Sequence, residues 1–286
     1  MRTLIPLFFI FATLFTSHAE PARKIVSLAP SLTELIFDIG WNDRLIARSD
    51  ADDYPPEAKR LPVAGSFGRP NVEWLIHAKP DLVVSTDLER PGLANTLRKA
   101  GIEYQRLPCN SWTQMIEAVR TLGTALNDEQ TANDWIARAQ TRRDSVAKRA
   151  SEFWAERTRP RVYVELWADP LTTPGRDSFL TDLVSLAGGE SIGAELSDPY
   201  AHISAEWVIH EKPDAIVLAY MLTSVRPDPA TLAQRPGWKA IPAIENSAIT
   251  ADIPTDWLLR PGPRWLNGAE ALAEFLRESA SHKTEQ

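Results

Sequence analysis

The chain has 286 residues, of which 44% are hydrophobic and 24% are charged. This composition is typical of a soluble globular protein, and the length suits two domains of ordinary size. The formal net charge of −7 argues against a nucleic-acid partner, because surfaces that bind phosphate backbones carry clustered Lys and Arg.

Residues 1–19 have the three parts of a secretory signal peptide. Arg2 supplies a positive charge, residues 4–15 form an apolar run, and Ser17-His18-Ala19 provides small residues at a cleavage site. The alternative, a membrane anchor, is disfavoured because the apolar run is shorter than the roughly 20 residues that span a bilayer. We expect cleavage after Ala19 and release into the periplasm, since no Cys near this site is present to accept a lipid.

Cys109 is the only cysteine, so an intramolecular disulfide is impossible even in an oxidising compartment. No His or carboxylate stands beside it in the sequence. We interpret it as a buried structural residue.

The first part of the chain alternates between predicted strands and helices. The β-branched run at 24–28 is typical of a buried strand, and Ser31 with Glu34 three residues later predicts a capping box at the start of a helix that ends at Gly40. The other predicted elements here are strands at 43–48, 81–85 and 104–107 and a helix at 93–100. This alternation indicates an α/β lobe.

Residues 127–158 contain neither Pro nor Gly and carry apolar residues at helical spacing. They predict one long helix, with two consecutive helices inside one lobe as the alternative. After Pro160 the alternation restarts, with a strand at 162–166 and a helix at 178–187. The predicted organisation is an N-terminal lobe at 20–126, a connecting helix at 127–158 and a C-terminal lobe at 159–286.

Two segments of the chain repeat each other. Residues 73–84 read EWLIHAKPDLVV, and residues 206–217 read EWVIHEKPDAIV. Each copy predicts a short helix that stops before Lys-Pro-Asp and is followed by a buried strand. Two copies of one supersecondary unit indicate two similar lobes.

Further motifs extend this pattern along the chain: SLAPSLTEL at 27–35, DYPP at 53–56, GGE at 188–190, and the segment at 256–264. With them the chain resembles the class III periplasmic binding proteins of ABC importers, which include vitamin B12, heme and siderophore binders, and it resembles the vitamin B12 binders most. The resemblance covers nearly all of the chain after residue 19. It implies two Rossmann-like, mixed-sheet α/β lobes joined by one rigid helix, and a monomer that carries a ligand to an inner-membrane permease dimer.

The resemblance also implies a role for Glu73 and Glu206, which hold the same position in the two repeats. In this class one glutamate at the tip of each lobe pairs with arginines of the two permease subunits. One negative charge on each lobe would fix the orientation of the protein on a permease surface with pseudo-twofold symmetry. The alternative is that each Glu only complements the dipole at the start of its helix.

For the ligand, the resemblance implies cobalamin or a related corrinoid held by aromatic side chains in the cleft between the lobes. The predicted ligand-binding residues are Tyr54, Phe67, Trp167, Tyr200, Asp256, Trp257 and Arg260, with Asp169 as a further lining residue. The chain departs from the vitamin B12 binders at Ala51, Thr86 and Thr172, where those proteins have aromatic residues. For any single aromatic, core packing is the alternative.

Three other functions are alternatives. Heme needs an axial ligand, for which the candidates are Tyr54, Tyr200 and His202. A ferric siderophore needs cationic groups in the cleft, for which the candidates are Arg69, Arg176, Arg260 and Arg264. An enzyme is disfavoured, because the chain has no nucleophile elbow or phosphate-binding Gly-rich loop, and its two Glu-x3-His pairs, ending at His77 and His210, belong to different lobes. We therefore expect no catalytic residue, no resident metal and no cofactor.

Overall fold

The computed structural model describes residues 24–86, 92–220 and 228–284, so the predicted signal peptide lies outside the described residues. Within these ranges, no helix combines the length and the apolar character that a membrane crossing requires.

The N-terminal lobe contains six strands and four helices in its described part. The strands are β1 Ile25–Ser27, β2 Leu45–Ala47, β3 Gly65–Ser66, β4 Arg69–Pro70, β5 Leu82–Ser85 and β6 Glu103–Arg106. The helices are α1 Pro30–Ile39, α2 Val72–Ala78, α3 Leu93–Lys99 and α4 Trp112–Ala125.

A long helix, α5 Glu129–Trp154, leads to the second lobe. The strands of that lobe are β7 Arg161–Glu165, β8 Trp167–Ala168, β9 Leu171–Pro174, β10 Glu190–Ser191, β11 Tyr200–His202, β12 Ala215–Leu218 and β13 Ile249–Thr250. Its helices are α6 Phe179–Leu186, α7 Ala205–Glu211, α8 Pro229–Leu232, α9 Pro242–Glu245, α10 Thr255–Leu259 and α11 Trp265–Thr284.

Each lobe is built on a four-stranded parallel sheet. The strand orders are β2-β1-β5-β6 and β10-β7-β12-β13, so corresponding strands of the two lobes hold corresponding positions. The central strands are apolar on both sides: Ile25 and Val84 pack into one core and Val26 and Val83 into another. Helices therefore cover both faces, as continuous apolar strands require. The predicted fold class is confirmed.

The sequence repeat is a structural repeat. Asn71 and Ser204 cap α2 and α7 by accepting hydrogen bonds from the backbone N–H of the residue three positions later, at 3.0 and 3.2 Å. Both helices end at a lysine in the left-handed conformation, with φ of 47° at Lys79 and 48° at Lys212. The proline that follows each lysine disfavours the α-helical conformation there, which explains why both helices stop at this point.

The connecting helix α5 is a single helix of 26 residues, so the alternative of two helices is wrong. Its N-terminal half is tied to the first lobe, where the Trp135 indole N–H donates to Asp38 at 2.7 Å. Its C-terminal half is tied to α11, where Arg142 donates to Glu270 and Asn267 at 2.6 Å. Both halves are therefore anchored, each to a different lobe.

Two local predictions need correction. The capping box is wrong, because α1 begins at Pro30 and Ala29 is its N-cap residue, with no side-chain hydrogen bond. Proline is pre-organised for the first helical position, and this places Ser31 inside the helix. The strand predicted at 43–48 is confined to β2, because residues 42–44 form a 3-10 turn. Cys109 is buried, as predicted.

Candidate ligand cleft

Segments that follow the carboxyl ends of strands in the two parallel sheets meet at an ion pair. The chain leaving β1 enters α1, which carries Glu34, and the chain leaving β13 enters α10 and reaches Arg264. The Arg264 Nε and Nη2 groups donate to the Glu34 carboxylate at 2.8 and 2.5 Å. Ligands of open α/β folds bind beyond the carboxyl ends of the strands, so this junction marks the candidate cleft.

Glu34 is the centre of the contact between the lobes. Its side chain is 1% exposed, and it also accepts from Arg260 Nη1 at 3.2 Å. Burial by itself disfavours the charged form of Arg264, but the hydrogen bonds to Glu34 raise its pKa. Bidentate guanidinium–carboxylate pairs of this kind are strong and directional.

Three predicted ligand residues lie beside this ion pair. Arg260 donates to Asp53 at 2.5 Å and lies 3.2 Å from Asp256. The guanidinium of Arg264 stacks on the ring of Tyr54, 3.9 Å from its centroid. The structure therefore brings Tyr54, Asp256 and Arg260 together, in a cluster where three carboxylates surround two guanidinium groups. We call this set, with Glu34, Asp53 and Arg264, the interlobe cluster.

Asp53 makes this contact dependent on pH. The hydrogen bond from Arg260 lowers the pKa of Asp53 below its ordinary value of 3.8. A carboxyl with a lowered pKa stabilises the folded state above its ordinary pKa, and the contribution is lost as the pH falls through the lowered value. We expect the urea midpoints of the wild type and Asp53→Asn to differ at pH 7 and to converge below pH 3.8. Equal separation at all pH values would contradict this.

Trp167 and Tyr200 belong to a small antiparallel sheet that follows the carboxyl end of β7. Its order is β11-β9-β8, with Trp167 opposite Thr172 and Thr172 opposite His202. Directly paired residues and alternate residues of one strand share a face, so Trp167, His202 and Tyr200 lie on the same face. All three are exposed. The Trp167 indole donates to the backbone carbonyl of Asp169 at 2.8 Å.

Phe67 and Trp257 are not members of the interlobe cluster. Phe67 is at the tip of the β3–β4 hairpin, where its backbone N–H donates to Asp50 at 3.0 Å. The hydrogen bond from Ser66 lowers the pKa of Asp50, which keeps this acceptor charged. Trp257 is half-buried on α10, on the same helix as Asp256.

Exposure separates four of the five predicted ligand aromatics from core residues. Among the described residues, the large hydrophobic side chains that are exposed are Tyr54, Val63, Phe67, Ile76, Trp167 and Tyr200. Four of these six are predicted ligand residues. These four side chains are accessible to a ligand, which residues of the core are not.

Sequence reasoning missed the role of Glu34, which it assigned to a helix cap. The partners of Glu34 lie 226 and 230 residues away in sequence, so no local pattern indicates them. The arginines proposed for a siderophore are largely engaged: Arg176 pairs with Glu195 at 3.3 Å, and Arg260 and Arg264 belong to the interlobe cluster.

Glu73 and Glu206 are both exposed and lie in the first turns of α2 and α7, immediately after the equivalent caps. Neither residue contributes to the interlobe cluster. The structure thus presents one carboxylate per lobe at equivalent positions.

Two lobes of this topology, joined by a long helix and facing each other across a cleft, define a ligand-binding receptor class. A family model described as periplasmic binding protein matches residues 25–252, and the chain belongs to this family. The vitamin B12-binding protein of Vibrio parahaemolyticus is 28% identical over 281 residues, covering 98% of this chain and 97% of that protein.

Solved structures also support the assignment of the chain to this family. The periplasmic vitamin B12 binding protein BtuF of Vibrio cholerae is 26% identical, with a TM-score of 0.71 and coverage of 91% of this chain and 98% of that one. The periplasmic heme binding protein HutB of Vibrio cholerae has a TM-score of 0.77 at 22% identity, covering 88% and 98%, which shows the shared fold.

Proposed function

We propose that this protein captures cobalamin or a related corrinoid between its lobes and delivers it to an ABC permease. It acts in the periplasm as a monomer after cleavage at Ala19. The similarity to vitamin B12-binding proteins over nearly the whole chain supports the ligand class. The main support for the proposal is the combination of aromatic side chains and paired arginines in the cleft.

The cleft combines exposed aromatic walls with arginines that are already neutralised. Tyr54, Trp167 and Tyr200 offer apolar surface to a macrocycle. Arg260 and Arg264 are held by carboxylates, so they are poorly placed to neutralise the propionates of heme or an anionic siderophore. Corrinoids carry uncharged carboxamides at their periphery, and such groups pair with carboxylates and guanidinium groups without adding a charge.

Delivery requires a surface that the permease recognises. The exposed Glu73 and Glu206 suit arginines on two related subunits, since each glutamate stands at the same place in its lobe. The caps at Asn71 and Ser204 fix the first turn of each helix within its lobe. While the interlobe cluster holds the lobes together, the distance between the two carboxylates therefore stays constant.

Titration calorimetry with cyanocobalamin, cobinamide, hemin and a ferric siderophore tests the ligand class. We expect one-to-one binding of the corrinoids with submicromolar affinity, as is typical of a preformed, largely apolar site. Trp167→Ala or Tyr200→Ala is expected to weaken corrinoid binding by about 1 to 3 kcal/mol, because apolar burial is lost.

Ile76→Ala is the matched control. Ile76 is another exposed apolar side chain, but it lies on α2 and outside the proposed ligand surface, so we expect unchanged affinity. Binding of hemin or siderophore with no binding of either corrinoid would refute the proposed ligand.

A further inference from the structure

His202 lies on the proposed ligand surface, and its imidazole is held by a hydrogen-bond relay. The Thr172 hydroxyl donates to the backbone carbonyl of Pro170 at 3.0 Å. The same oxygen lies 3.1 Å from His202 Nδ1. A hydroxyl has one proton, so when Thr172 donates it to Pro170 the hydroxyl oxygen is left to accept from Nδ1–H.

This arrangement favours the tautomer of the neutral imidazole that carries its proton on Nδ1. With the proton on Nδ1, the lone pair is on Nε2. Metal-binding histidines are oriented in this way, because a hydrogen bond from one ring nitrogen prepares the other as the ligand. His202 is exposed, so its Nε2 is accessible to a bound molecule.

The neighbours of His202 suit a flat macrocycle. Tyr200 is two residues away on the same strand, at a distance of about 7 Å, and Trp167 is two strands away, at about 10 Å. Both side chains share the face of His202 and are exposed. A macrocycle resting on these two aromatic rings brings its central metal within reach of the imidazole.

We propose that His202 Nε2 coordinates the cobalt of the bound corrinoid at an axial position that water would otherwise occupy. The imidazole nitrogen forms the Co–N bond and one water molecule leaves, with no change in oxidation state or total charge. This inference rests on the proposed function, since it requires a corrinoid in the cleft. It makes His202 a determinant of which axial forms of the ligand are held most tightly.

Absorption spectroscopy with diaquacobinamide tests the proposal, because replacement of axial water by imidazole shifts the corrin bands. We expect a band shift with the wild type and with His210→Ala, in which an exposed histidine of the same lobe but outside the sheet is removed. His202→Ala is expected to abolish the shift. Thr172→Val, which removes the acceptor of Nδ1–H, is expected to keep the shift but weaken diaquacobinamide binding on the order of tenfold.

Dicyanocobinamide is the matched ligand control, because cyanide already blocks both axial positions. We expect His202→Ala and Thr172→Val to weaken its binding far less than they weaken the binding of diaquacobinamide, because only packing contacts are lost, and retained binding also verifies that the variants are folded. Tight binding of diaquacobinamide without a band shift, or a shift that persists in His202→Ala, would overturn the axial role and leave the proposed function intact. Failure of the wild type to bind any corrinoid would overturn both.

Discussion

Arg264→Met is expected to lower the free energy of unfolding by about 3 to 5 kcal/mol, because it leaves the buried carboxylate of Glu34 without its principal partner. Glu34 is 1% exposed and receives two of its three guanidinium hydrogen bonds from Arg264. The remaining contact, from Arg260 at 3.2 Å, is shared with Asp53 and Asp256. Urea unfolding at pH 7 measures the loss.

Two further variants separate ion-pair burial from general effects of charge removal. Glu34→Leu/Arg264→Met removes both partners and is expected to be more stable than Arg264→Met alone, since no buried charge is left unpaired. Lys148→Ala breaks an ion pair on α5 whose side chains are 76% and 65% exposed, and we expect a change below about 1 kcal/mol. If Arg264→Met were as stable as Lys148→Ala, the interlobe cluster would not hold the lobes together.

Charge reversal at both docking positions, Glu73→Arg/Glu206→Arg, is expected to abolish corrinoid import while leaving ligand affinity nearly unchanged. Both residues are exposed and lie outside the interlobe cluster, so reversal spares the cleft. In the proposed docking, each new arginine would meet the permease arginine that pairs with the original carboxylate, and like charges at an interface are strongly unfavourable. Uptake of labelled cobalamin by vesicles that contain the cognate permease measures import, and calorimetry measures affinity.

Glu117→Arg/Glu152→Arg is the control for this experiment. It makes the same change in net charge at exposed positions on α4 and α5, which belong to neither repeat. Import is expected to persist in the control. A folded docking variant that no longer binds cobalamin would assign Glu73 and Glu206 to the pocket, and normal import would remove them from the docking surface.

The sequence predicts those parts of the fold that depend on local rules. The ends of the two short helices were located because Lys-Pro-Asp follows each helix, and this signal acts within a few residues. The long helix was predictable because no helix-breaking residue interrupts 127–158. Where two local rules compete, prediction fails: at α1 the proline at the first position overrode the capping box that Ser31 and Glu34 suggested.

The candidate site was predictable only in part. Its aromatic residues were proposed through resemblance, and four of them are exposed while Trp257 is half-buried. The pairing of Glu34 with Arg264 and the relay from His202 through Thr172 join residues far apart in sequence. Such contacts depend on how the lobes and strands pack, and a single sequence carries no local signal for them.

The anchoring of α5 to both lobes has a consequence for how cargo leaves the protein. A receptor whose lobes swing freely releases ligand by opening spontaneously, whereas here the Trp135–Asp38 and Arg142–Glu270 contacts resist such a swing. We therefore expect the cleft to keep its shape without ligand and the release of ligand into solvent to be slow. Under the proposed function, a permease that contacts both lobes at once would have to change their arrangement to release the ligand.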